Sequence, residues 1–167
     1  MVQYGRVQDR QRPDEQRAPD FTLPDHKGGT VNLYEALKNG PAMLVFYPGD
    51  FTPVCTAQLC NYRDNIERFA GHGVQVFGIS EDAPEQHARF AKEFEFPFPL
   101  LTDKGQAVAK AYGCTSLFMF GKVSRAVFII NSRGAIVYRY VEPLAITRRK
   151  ADDLIAVISD LKKDGSI

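Results

Sequence analysis

Apolar residues along this chain fall into short runs separated by glycine, proline and charged side chains. The segment AMLVFYP, ending at Pro48, is continuously apolar. That pattern predicts a strand buried on both faces, most simply a central parallel strand. VQVFGIS predicts a second such strand. Between the two, Cys55, Leu59, Tyr62, Ile66 and Phe69 recur at steps of 4, 3, 4 and 3, the spacing of one stripe on a single helix. Thr52 followed by Pro53 supplies its start, an N-cap hydroxyl with proline at the first helical position, and Gly71 and Gly73 supply its end. The result is a strand-helix-strand unit in which Cys55 faces inward.

The flanking segments extend the pattern. FTLPDHKGGTVNLYEAL carries short apolar pairs around the turn Lys27-Gly28-Gly29 and predicts a hairpin followed by a short helix. A capped amphipathic helix is expected from about Ala83 to Phe94, a short strand in FPFPLLTD and a short helix in GQAVAKAYG. RAVFIINSRGAIVYRYVE predicts two strands around a turn from Asn131 to Gly134. ADDLIAVISDLKK closes the chain as a helix with acids first and lysines last, matching its dipole. Strands alternating with helices, then a hairpin and a final helix, indicate an α/β fold with a mixed central sheet flanked by helices. That order is compatible with a thioredoxin-like fold. Residues 1–17 hold almost no large apolar side chains, so they are expected to form a flexible arm, with 18–167 as one domain.

Composition narrows the function. The 167 residues are 44% hydrophobic and 25% charged, which suits one packed core, and 21 basic against 20 acidic side chains leave a formal charge of +1. No global field draws in nucleic acid or an anionic membrane, and a small neutral substrate fits. No apolar run approaches the roughly 20 residues of a membrane span. The polar opening MVQYGRVQDRQRPDEQR resembles neither a secretion signal nor a transit peptide, so the expected location is cytoplasmic. Three cysteines, Cys55, Cys60 and Cys114, are too few and odd in number for a disulfide-stapled scaffold.

A thiol is a useful nucleophile only as thiolate, a form favoured by a helix N-terminus or a nearby cation. With Thr52 as N-cap, Cys55 is the third helical residue, among N–H groups without intrahelical partners. The Thr52 hydroxyl is placed to bond the Cys55 backbone or an oxygen beside the sulfur. Pro48 and Pro53 stiffen the turn.

Pro48-Gly-Asp-Phe-Thr52-Pro-Val-Cys55 resembles the peroxiredoxin motif Pro-x-x-x-Thr-x-x-Cys without gaps. APDFTL, FYPGDFTPVCTAQLCNYRD, PFPLLTD and the arginine before AVFII extend the resemblance over roughly residues 18 to 160. It implies a peroxidase without metal or organic cofactor, in which Cys55 attacks a hydroperoxide, Arg125 folds back onto the cysteine, and Thr52 and Pro48 complete the pocket. The pair Cys55 and Cys60, five residues apart, is similar to the bacterioferritin-comigratory or Q-type peroxiredoxins, where the second cysteine resolves the sulfenic acid. In a helix those Cα atoms lie roughly 8 to 9 Å apart, beyond the roughly 7 Å limit for a disulfide, so the helix must unwind locally before they join. The implied partners are a peroxide and a thioredoxin-like reductant, and the implied state is monomer or homodimer. A tail lacking the Tyr-Phe pair of easily overoxidised relatives implies resistance to overoxidation.

Three departures stand out: Gln58 where many relatives carry Glu, Ala126 and Val127 where Thr is frequent, and Cys114 without a family role. Cys114 reads as a core or loop thiol, and Phe118 and Phe120 as core or dimer surface. His26, His72 and His87 lack metal-site spacing and read as solvated surface side chains, as do Arg148, Arg149 and Lys150 at the last helix start. The rival readings are a thiol-disulfide oxidoreductase, opposed by the lack of Cys-x-x-Cys, and a redox-sensing or chaperone protein that switches through Cys55 and Cys60.

Overall fold

The computed structural model describes residues 17–116, 121–144 and 146–167. Residues 1–16 of the expected arm, and Phe118 and Phe120, lie outside them. Arg17, the last arm residue, bridges Ala135 and lies over the Tyr34 ring at 4.7 Å.

A small antiparallel hairpin comes first, β1 (Thr22–Pro24) with β2 (Thr30–Asn32). Asp25 closes its turn, its Oδ1 accepting from the N–H groups of Lys27 and Gly29. The main sheet has the order β5-β4-β3-β6-β7, with β3 (Ala42–Phe46), β4 (Gln75–Ser80), β5 (Leu100–Thr102), β6 (Ala126–Ile130) and β7 (Ile136–Val141). β3 is central and fully buried, parallel to β4 and antiparallel to β6. It is the continuous apolar run, as expected of a strand covered on both sides.

The period-2 alternation of β3 divides the core in two. Met43, Val45 and Tyr47 pack in a cluster with Cys55, Leu59 and Tyr62 of α2 (Pro53–Asp64), Phe90 of α4 (Pro84–Phe94) and Leu154 and Ile158 of α6 (Ala151–Lys163). Ala42, Leu44 and Phe46 pack on the opposite face with Leu33 of α1 (Leu33–Ala36) and Ala109 of α5 (Ala107–Ala111). Each large side chain removed from water contributes about 1.5–3 kcal/mol, so both faces are needed to hold the sheet.

Two helical expectations are corrected. The stripe from Cys55 to Phe69 is not one helix: it breaks at Asn65 into α2 and α3 (Ile66–Gly71). The Asn65 amide side chain donates to the Asn61 carbonyl at 2.8 Å, and its φ is −115°. Asparagine thus offers the backbone a local alternative to the helical ladder. The helix from Ala83 has no side-chain cap, because alanine has none to give; Pro84 at its first position sets the start.

Gly78 on β4 lets Tyr47 and Leu100 close in. A β-carbon there would sit 2.7 Å from Leu100 Cδ2 and 3.3 Å from Tyr47 Cε1. Gly78→Val should therefore destabilise the fold by about 1–3 kcal/mol through overpacking. Chemical denaturation measures this, and an unchanged midpoint would show that the core opens freely at this point.

Candidate active site

β3 runs out at Phe46, and the chain crosses from sheet to helix through the loop 47–52. Thr52 occupies the N-cap of α2 with extended φ and ψ of −74° and 146°, and Pro53 opens the helix. Cys55 is the third helical residue and is fully buried. Contrary to expectation, the hydroxyl of Thr52 does not cap the helix but donates to the Gly49 carbonyl at 3.0 Å. The Thr52 carbonyl accepts from both the N–H and hydroxyl of Thr56. No side chain caps the first turn, so its N–H groups keep their partial positive charge near the sulfur.

Arg125 reaches that sulfur from the sheet. It immediately precedes β6, whose register with β3 pairs Phe46 with Ala126 and so sets the arginine beside the end of β3. Its Nη1 donates to Cys55 Sγ at 3.0 Å and to Gln58 Oε1 at 2.9 Å, and its Nε donates to the Thr147 carbonyl at 3.1 Å. Arg125 as a whole is 3% exposed. A buried cation is costly unless acceptors surround it, and of the three acceptors named only the sulfur can carry a full negative charge. Gln58 is fully buried and passes the arrangement on: its Nε2 donates to the Tyr62 hydroxyl, which donates to the Arg149 carbonyl at 2.6 Å. Burial pushes the Tyr62 phenol well above its ordinary range, so it stays a neutral donor. A cavity of about 280 Å³ opens against Pro48 and Arg125, with Ser124, Glu142 and Leu144 also on its wall.

The other two thiols differ. Cys60, on the same helix, is half-buried against the core; burial pushes its thiol up and Arg63 opposes this. Cys114 is 1% exposed, its Sγ donates to the Ala109 carbonyl at 3.4 Å, and burial pushes it up to about 12. It packs as a core thiol that burial favours in its protonated form.

His87 overturns the surface reading. It is fully buried on α4, with Nδ1 2.7 Å from Asp50 Oδ2 and Nε2 3.1 Å from the Leu101 carbonyl. Asp50 Oδ1 accepts from the Tyr47 hydroxyl at 2.6 Å, and the Asp50 N–H donates to Asp82 Oδ2, which also accepts from Ser80. Asp50, Asp82 and His87 hold their ligating atoms within 4.8 Å of one another, a grouping the sequence spacing did not reveal. The signal was nonetheless present: His87, Phe90, Ala91 and Phe94 fall at i, i+3, i+4 and i+7, placing the histidine on the apolar stripe. Arg149 is likewise only half exposed, its guanidinium 4.1 Å above the Tyr140 ring.

The five-stranded mixed sheet with helices on both faces, carrying a cysteine in the first turn of the helix after the central strand, defines a thioredoxin-fold thiol protein. The chain belongs to the AhpC/TSA family, whose model matches residues 15–139, and within it resembles the Q-type peroxiredoxins. It is 42% identical over 123 residues to the chloroplastic peroxiredoxin Q of Triticum aestivum, covering 73% of this chain and 56% of that protein. Against the chloroplastic peroxiredoxin Q of Sedum lineare the identity is 37% over 145 residues, 86% of this chain and 76% of that one. The chain thus spans little more than half of the wheat relative. Among solved structures, peroxidoxin BcpB of Mycobacterium tuberculosis superposes with a TM-score of 0.75 at 30% identity, over 88% of this chain and 94% of that chain. The chloroplastic names of the plant relatives overturn the expected cytoplasmic location; the composition of a folded domain does not encode its compartment.

The sign of the Cys114 shift gives a test. Its ordinary value is 9.0, so between there and about 12 the folded state keeps a proton that the unfolded chain gives up. Its stabilising contribution is complete below the ordinary value and is lost as pH rises. A Cys114→Ser variant should lose less stability than the native protein between about pH 9 and pH 11. Parallel denaturation curves at the two pH values measure the difference, and equal losses would contradict the assignment.

Proposed function

We propose that this chain reduces hydroperoxides with Cys55 as attacking thiolate, Arg125 as its cationic partner, and Thr52 and Pro48 shaping the pocket. The observation that carries the reading is the 3.0 Å contact between Arg125 Nη1 and a buried sulfur at a helix N-terminus. A guanidinium is permanently charged and presents its donors in a fixed fork, so it steadies both the thiolate and the oxygen that takes up charge as the peroxide bond breaks.

The Cys55 thiolate attacks the terminal peroxide oxygen, an S–O bond forms and the O–O bond breaks. Two electrons leave sulfur, and the departing alkoxide or hydroxide takes a proton to become alcohol or water. Cys55 is left as sulfenic acid. The thiolate of Cys60 then attacks that sulfur, the S–O bond breaks, water leaves and a disulfide forms. A thioredoxin-like dithiol returns both cysteines to thiols while itself becoming a disulfide. Cys60 is half-exposed and its thiol is raised by burial, so it becomes a good attacker as the helix opens and water reaches it. Both thiols lie on one helix, so monomer and homodimer serve equally. The wall beside Arg125 mixes polar Ser124 and Glu142 with apolar Pro48 and Leu144, which supports both hydrogen peroxide and organic hydroperoxides as substrates. A thiol-disulfide oxidoreductase is less well supported, for want of Cys-x-x-Cys.

Rapid mixing of the reduced protein with hydrogen peroxide tests the scheme. Cys55→Ser should abolish consumption; retention of the native rate would sink the proposal. Arg125→Lys, which keeps the charge but loses the fork, should slow the first step by roughly 10²- to 10³-fold. Cys60→Ser should react once, accumulate sulfenic acid and lose turnover with a thioredoxin. A disulfide from Cys55 to Cys114 in the oxidised native protein would move the resolving role.

A further inference from the structure

We infer that Asp50 and His87 form a latch that holds the active-site loop in its peroxide-reactive arrangement and must open for the disulfide step. This rests on the function proposed above, and Asp50 and His87 are its positioning residues.

The proton count comes from geometry. His87 Nε2 faces the Leu101 carbonyl, which can only accept, so Nε2 carries hydrogen. The 2.7 Å contact between Nδ1 and Asp50 Oδ2 then needs one proton between its two atoms. The pair is either imidazolium with carboxylate or imidazole with carboxylic acid, neutral in sum in both forms. Both side chains are fully buried, and the Tyr47 hydroxyl satisfies the remaining Asp50 oxygen. Once parted, each partner would be a buried polar group without its mate.

What the latch holds is a strained loop. Phe51, next in sequence, has a φ of 63°, left-handed for an aromatic residue, and is 41% exposed. Its ring rests on Phe90 at 4.8 Å and Phe94 at 6.4 Å. Asp50 and Phe51 therefore grip one face of α4, at positions 87, 90 and 94. The strain favours release and the grip opposes it.

The loop is also the part that must move. Leu59 and Tyr62 are fully buried, and Tyr62 is bonded to the Arg149 carbonyl, which anchors the later turns of α2. The first turn is uncapped, with Thr52 and Pro53 exposed. Unwinding that frees Cys55 to reach Cys60 begins there, and only four residues separate Asp50 from Cys55. The latch thus favours the state that meets peroxide and delays the state that forms the disulfide.

The test is rapid-quench mass spectrometry of the full chain after mixing with hydrogen peroxide, reading sulfenic acid and disulfide separately. Asp50→Ala should slow sulfenic acid formation and speed disulfide formation roughly tenfold, effects of opposite sign. Asp50→Asn should restore most of the native behaviour, since its amide donates to a neutral imidazole while its oxygen still accepts from Tyr47. Tyr47→Phe, which removes one donor without changing the fold's shape, should act like Asp50→Ala but more weakly, and it decides the matter should Asp50→Ala fail to fold. The latch is overturned if these variants slow both steps together, if neither step changes, or if Asp50→Asn behaves as Asp50→Ala. Failure of the native protein to form any Cys55 sulfenic acid would instead defeat the underlying function.

Discussion

An arginine buried to 3% exposure governs the architecture around it. Arg125 must be surrounded by acceptors, and the fold brings three of them from two elements: the Cys55 sulfur and the Gln58 amide from α2, and the Thr147 carbonyl from the segment before α6. Gln58 gives the cation an oxygen while holding the Tyr62 hydroxyl with its nitrogen. A glutamate here, as in many relatives by the sequence resemblance, would compete with the sulfur for the positive charge. The neutral amide accepts from Arg125 without adding a second negative charge beside the sulfur.

Much of this was legible in the residues because it rests on local rules. The apolar run at AMLVFYP, the proline after Thr52 and the stripe from Cys55 to Tyr62 each report a backbone preference that the sheet and α2 obey. The hairpin around Asn131 follows from turn chemistry, its Gly134 N–H bonding the Asn131 carbonyl. The comparisons add the family, which spacing alone only suggested.

What remained hidden depends on pairing between distant elements. The stripe on α4 reports that His87 is buried, but its pairing with Asp50, 37 residues earlier, was hidden, because no periodicity reports a partner on another element. The break at Asn65 hung on one side-chain bond competing with the helical ladder. Thr52 had two acceptable uses for its hydroxyl, the helix end or the Gly49 carbonyl, and the loop's curvature selected the second.

The antiparallel pairing of β3 with β6 has a wider consequence. Phe46 stands opposite Ala126, so Arg125 owes its place to strand register. A slip by one residue would turn every side chain of β6 to the other face. The sulfur, by contrast, sits in a helical turn joined to the sheet only through a loop. The permanent charge is placed by strand register, and the atom that changes oxidation state in the proposed reaction sits in a helical turn that the proposed disulfide step would unwind. In the proposed cycle the thiol would return to a cation placed by strand pairing, so the site would be rebuilt against the sheet.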